Sequence, residues 1–257
     1  MNGKYWQRAW SIIDGCTPCS LGCDHCWSMA MGKRFKKWPD RVTIRPDRLD
    51  IPLRTRKPTV FSVWNDLFHE DVPFDFRTAA WLNMCITHRH TYLVLTKRAE
   101  RMRTFVSAWK MSDFPHIWLG VTVCNQSEAD EKIPLLLQTP AAHRWVSIEP
   151  MLSEIDIDPY THEDEDIFGG LHIDAVILGG ESGPGARPMH PDWARSVRDQ
   201  CKAAGVPFFF KQWGTLPSFE DCIGNKKPGP LEAIMMDVKR LLDGQEHNEL
   251  PWRDRGA

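Results

Sequence analysis

Seven short runs of β-branched and aromatic residues, each ending in polar or glycine residues, set the tightest limit on the fold. They span residues 10–13, 59–63, 91–95, 117–123, 144–148, 175–178 and 207–210. Helix-like stretches lie between them at 74–88, 98–109, 127–137 and 192–204. Alternating strand and helix predicts a parallel sheet with right-handed crossovers. Ala204-Gly205-Val206-Pro207 reads as a helix stop followed by a strand start. A chain of 257 residues suits either one α/β barrel or two small domains. We expect one partial (β/α) barrel of six or seven parallel strands over residues 1–214, with a C-terminal extension, 215–257, packed on it. No internal repeat and no low-complexity segment interrupts the pattern.

Parallel barrels carry their chemistry on the loops at the C-terminal ends of the strands. Those loops read, in order, Asp14-Gly15-Cys16, Trp64-Asn65-Asp66, Thr96-Lys97-Arg98, Cys124-Asn125-Gln126 and Glu149-Pro150. They end with Gly179-Gly180-Glu181-Ser182-Gly183 and Lys211-Gln212-Trp213. Every one is polar, so the rim is where a site is expected.

The 32 basic and 34 acidic side chains exclude a domain that coats duplex DNA by charge alone, and leave a local groove for a nucleotide or strand open. No apolar run approaches the roughly 20 residues of a membrane span. Residues 1–14 are too polar for a signal peptide. A cytoplasmic protein without membrane contact is expected.

Eight cysteines stand at 16, 19, 23, 26, 85, 124, 201 and 222, four of them within eleven residues. Clustered thiols in a chain without an export signal point to metal rather than disulfides. Cys19, Cys23 and Cys26 form C-x3-C-x2-C, whereas Cys16, Cys23 and Cys26 form C-x6-C-x2-C. Either set could hold three irons of a [4Fe–4S] cluster and leave the fourth iron open. C-x2-C also occurs twice, which keeps a structural zinc site in view, although zinc pairs are usually separated by more than three residues. Cys85 and Cys201 read as buried apolar residues of helices, and Cys124 as a thiol at the mouth of the barrel. The acidic run 163–166 reads as a solvated loop, and the tail around Lys226-Lys227-Pro228 carries no chemistry.

A cysteine triplet directly after the first strand resembles the radical S-adenosylmethionine (SAM) superfamily. More closely, Gly15-Cys16 with Gly22-Cys23-Asp24-His25-Cys26 resembles a phage- and mobile-element-associated, three-cysteine radical-SAM-like family of poorly assigned function. The likeness continues through 66–73, Leu95-Thr96-Lys97-Arg98, 118–122, Ser147-Ile148-Glu149-Pro150, 179–190 and 208–214. It implies a radical-SAM-type barrel, a [4Fe–4S] cluster, SAM and an external one-electron reductant. That family's spacing selects Cys16, and the commoner superfamily spacing selects Cys19.

A chelated SAM needs acceptors for its amino group and donors for its carboxylate. Asn65 and Asp66 suit the first, Lys97 or Arg98 the second. His25 occupies the position that contacts adenine in the superfamily. The glycine-rich run at Gly179 and Gly180 lets backbone approach a ribose or phosphate, and Glu149 suits a ribose hydroxyl or a substrate amine. Glu181, Arg187 and His190 read as a pocket wall; Trp64, Lys211, Gln212 and Trp213 as substrate contacts. Glu149, Glu181 and Cys124 are the catalytic candidates. The phage association implies a nucleic-acid base as substrate, for example a modified thymine that is rearranged or elaborated. A photoproduct-lyase-like repair enzyme and a zinc-stabilised nucleic-acid-binding module without catalysis are the alternatives.

Overall fold

A computed structural model describes residues 4–34, 40–109, 114–162, 168–215 and 240–252. Cys222, the acidic run 163–166 and Lys226-Lys227-Pro228 lie outside the described residues. The apolar runs form a seven-stranded, wholly parallel sheet that curves as an open partial barrel. Its strands are β1 (Arg8–Trp10), β4 (Val60–Val63), β5 (Thr91–Thr96), β6 (Ile117–Thr122), β7 (His143–Ile148), β8 (Ala175–Gly179) and β9 (Phe208–Gln212), hydrogen-bonded in that order. Two further strands, β2 (Ile13–Asp14) and β3 (Thr43–Ile44), form an antiparallel pair above β1. A small hairpin of β10 (Leu241–Leu242) and β11 (Gln245–Glu246) follows β9.

The helices are α1 (Trp27–Arg34), α2 (Ile51–Arg54), α3 (Phe74–Ile86), α4 (Ala99–Val106), α5 (Gln126–Gln138) and α6 (Pro191–Ala204). Asn125 caps α5 by accepting from the Glu128 amide, and Gly205 ends α6 with φ 69°, as its glycine suits. Among the described residues no helix is long and apolar enough to cross a membrane.

The first strand lies earlier than the apolar run 10–13 suggests. Trp10 pairs with Val63, and the chain then leaves the sheet so that Ile13 can pair with Ile44. Cys201 is buried as expected, whereas Cys85 is only half-buried.

Alternation along the strands sorts the side chains into two cores. The outer face meets the helices through residues such as Phe61, Tyr92, Val94, Leu119, Val146 and Leu178. The inner face stacks Val60, Leu93, Trp118, Trp145, Ile177 and Phe209, closed by Tyr5, Leu250 and Trp252. Stepping by two along the inner face leads from Leu93 to Lys97, from Trp118 to Cys124, from Trp145 to Glu149 and from Phe209 to Lys211. The barrel is therefore apolar at the N-terminal ends of its strands and charged at the C-terminal rim.

Candidate active site at the barrel rim

The four clustered cysteines lie on the segment that joins β2 to α1, and two arginines from distant strands hold it in place. Arg98, just after β5, clamps its start. Its Nη1 donates to Asp66 Oδ2 at 3.0 Å, Nη2 to Thr17 Oγ1 at 3.0 Å and Nε to Glu70 Oε2 at 2.7 Å, with Nη1 lying 3.9 Å from Cys16 Sγ. Asp66 is itself buried and accepts from Thr96 Oγ1 at 2.7 Å. His69 completes this clamp. The Asp71 amide donates to its Nδ1, so the proton resides on Nε2 and is donated to Thr17 Oγ1 at 2.7 Å. Burial first, and the Arg98 charge second, lower the His69 pKa.

Arg187, which follows β8, clamps the other end. It donates to the Leu21 carbonyl at 2.9 Å and to Asp24 Oδ2 at 3.1 Å, while its Nη2 and Nε meet Glu181 at 2.6 and 2.9 Å. Glu181 is buried and also pairs with His25 Nδ1 at 3.0 Å. Burial would raise the Glu181 pKa, but the hydrogen bonds from Arg187 and His25 outweigh it and hold the value at about 2. Asn65 supplies a third tie: with φ 60° it donates to the Ile13 carbonyl at 2.6 Å and accepts from Ser28 at 3.0 Å.

Beneath the segment, the inner-face rim residues come together. Lys97 Nζ lies 3.4 Å from Cys23 Sγ. Burial lowers the Lys97 pKa, but the Cys124 and Cys23 sulfurs outweigh it and hold the ammonium above its ordinary value. Across the barrel, Lys211 Nζ lies 2.6 Å from Glu149 Oε1. Glu149 also accepts from Ser147 at 3.0 Å and bonds the Tyr5 hydroxyl. Cys124 is buried below Gly22.

These positions sort the residues expected from the sequence. Asn65, Asp66, Arg98, Glu181 and Arg187 converge on the cysteine segment, with their polar atoms used to hold it. Lys97, Cys124, Glu149 and Lys211 face the barrel interior, and Gly179 backs Glu149 closely. Gly180 lets β8 and the Trp213 carbonyl approach, since a Cβ there would stand 2.0 Å from that oxygen. Gln212 braces the same turn through Gly180, Ser182 and Gly214. Trp213 does not join the site: its indole donates to the Leu241 carbonyl and its ring packs on Phe210. His190 is exposed and caps α6 by accepting from the Asp192 amide. Thr17, His69 and Glu70 were missed by residue chemistry alone, although His69 and Glu70 lie in the 66–73 stretch that carried the resemblance.

All four thiols are free of disulfides, with Cys19 exposed and Cys16, Cys23 and Cys26 half-buried. A hydrogen bond from the Cys19 thiol, then the Lys97 charge, lower the Cys23 pKa against the effect of burial. The same bond raises Cys19. Burial and the Asp66 charge raise Cys16 against the pull of Arg98. Among the described residues, no group of three or more Cys, His, Asp or Glu side chains is arranged to hold a metal ion. The donor set itself fits a thiolate-held iron–sulfur group: four sulfurs on one short segment, with Lys97 3.4 Å from Cys23 Sγ and Arg98 3.9 Å from Cys16 Sγ to balance their charge.

Fold and site together define an α/β protein whose parallel half-barrel supports a clamped, thiol-rich segment at its C-terminal rim. The chain belongs to the family described as "Protein of unknown function (DUF5131)", whose model matches residues 2–251. No curated protein and no solved structure matches it.

Proposed function

We propose that this chain is an iron–sulfur enzyme of the radical SAM type, with a nucleic-acid base as its substrate. One observation carries the reading. Four free thiols sit at the C-terminal rim of a parallel half-barrel, held from both ends by arginines that arrive from other strands. In this reading Cys23 and Cys26 ligate a [4Fe–4S] cluster together with Cys16 or Cys19. Such a cluster, reduced by an external one-electron donor, supplies the electron that splits SAM into methionine and a 5′-deoxyadenosyl radical.

The chain's own residues hold and orient. Arg98, Asp66, His69 and Thr17 fix the start of the ligand segment, and Glu181, Arg187 and His25 fix its end. Asn65, Asp66 and Arg98 spend their polar atoms on this, and Lys97 stands beside the Cys23 sulfur at the mouth, where an anionic group would meet it. Glu149 and Lys211 present one acceptor and one donor inside the barrel, poised for polar atoms of a bound base. The apolar tiers below them exclude water from that floor.

The test is anaerobic reconstitution with iron and sulfide, followed by metal analysis. A brown protein with about four irons and four sulfides per chain is expected, lost in Cys23→Ala and Cys26→Ala. Whichever of Cys16→Ala and Cys19→Ala also loses it identifies the third ligand. A colourless protein with one zinc, or a full cluster in Cys23→Ala, contradicts the proposal.

A further inference from the structure

We infer that Trp6, Trp27 and Trp64 form a stacking platform for single-stranded nucleic acid beside the cysteine segment. The inference rests on the nucleobase substrate proposed above and is independent of the cluster chemistry.

Helix α1 starts directly after Cys26, and none of its eight residues is buried. Its first residue, Trp27, is 50% exposed and Met31 is 43% exposed. Trp27 and Met31, four residues apart, lie on one face of α1 and expose apolar surface together rather than singly. The ring is nonetheless held in a fixed attitude. Trp64, at the end of β4, meets Trp27 edge-on at 5.2 Å between centroids and meets Trp6 edge-on at 5.6 Å. Trp64 and Trp6 are half-buried, Trp6 against the inner-face core, and Trp27 is the exposed ring of the three.

Charge decides what covers them. The sequence of α1 contains no acidic residue and ends on the exposed Lys33 and Arg34. The Lys4 ammonium stands 5.0 Å over the Trp6 ring. The nearby carboxylates Asp14, Asp24 and Glu70 are paired with Arg45, Arg187 and Arg98. The chain as a whole carries a formal charge of −2, so this cationic, aromatic face is a local feature. Aromatic rings interleaved with basic side chains match a flexible polyanion whose bases are free to stack. A duplex hides those base faces, which makes a single strand the better fit.

The experiment is fluorescence anisotropy of a fluorescein-labelled twelve-residue oligothymidylate titrated with the full chain. Unlabelled oligothymidylate, a duplex of the same length and inorganic polyphosphate serve as competitors. The single strand should compete better than the duplex or polyphosphate. Trp27→Ala should weaken binding about tenfold, within the range for loss of one stacked base, and Trp27→Phe should restore most of it. The paired Lys33→Gln and Arg34→Gln changes should flatten the log–log salt dependence by about 0.7 per charge removed. Equal competition by polyphosphate or duplex, or Trp27→Ala binding like wild type, overturns the platform. Because binding needs no cluster, a chain that makes 5′-deoxyadenosine but ignores the oligonucleotide refutes the platform alone. One that binds the oligonucleotide but never assembles a cluster refutes the radical SAM reading alone.

Discussion

Glu181 concentrates the physics of the site in one side chain. It is a buried carboxylate that accepts from the Arg187 backbone amide at 2.8 Å, from the Arg187 guanidinium and from His25. Its folded-state pKa, about 2, lies below the ordinary 4.5. The stabilisation is thus complete above about pH 4.5 and is lost as the pH falls through about 2. Glu181→Gln should cost about 2–3 kcal/mol, in keeping with charged hydrogen bonds of this kind. It should also remove the part of the acid unfolding transition that falls in that window. Urea unfolding at pH 7 and an acid titration of both proteins check this; unchanged stability would show that the clamp is ornamental. The sequence marked Glu181 as polar rim because it follows a glycine pair after an apolar strand. It could not show that Arg187 reaches back to Leu21 and Asp24, because only the curved sheet brings residues so distant along the chain together. Thr17 offered no signal at all, being an ordinary threonine until His69 and Arg98 converge on it.

At the scale of elements, the cysteine segment is set by how closely it lies on the rim. Gly22 is buried between Cys16 and Cys26, and a Cβ there would stand 2.2 Å from Cys124 Sγ and 3.1 Å from Lys97 Nζ. Gly22→Ala must lift the segment from the barrel, at about 1–3 kcal/mol for overpacking. It should also reduce the iron retained after reconstitution. Equal retention in Gly22→Ala and wild type would contradict the close seating. All seven strands were legible to within a few residues, because period-two burial on both faces leaves long apolar runs. The first was displaced, since β1 is an edge strand that opens on the exposed Arg8. Helix α1 was not legible: a helix that buries no residue leaves no apolar stripe to detect.

For the whole molecule, the two ends of the barrel have opposite characters. At the N-terminal end of the strands, Trp252 donates its indole N–H to the Tyr5 carbonyl and packs edge-on against Trp118 at 4.9 Å. Residues from both ends of the chain thereby plug the floor. Leu250 and Trp252 add to the inner core in this way, a long-range contact that no local pattern records. The C-terminal end stays polar and carries every group proposed for cofactor and substrate.

The central claim is tested most directly by incubating the anaerobically reconstituted chain with SAM and dithionite and measuring 5′-deoxyadenosine by chromatography. The account predicts 5′-deoxyadenosine from the wild-type chain and its loss in Cys23→Ala. A cluster-loaded wild-type chain that yields neither 5′-deoxyadenosine nor any other SAM cleavage product would contradict it.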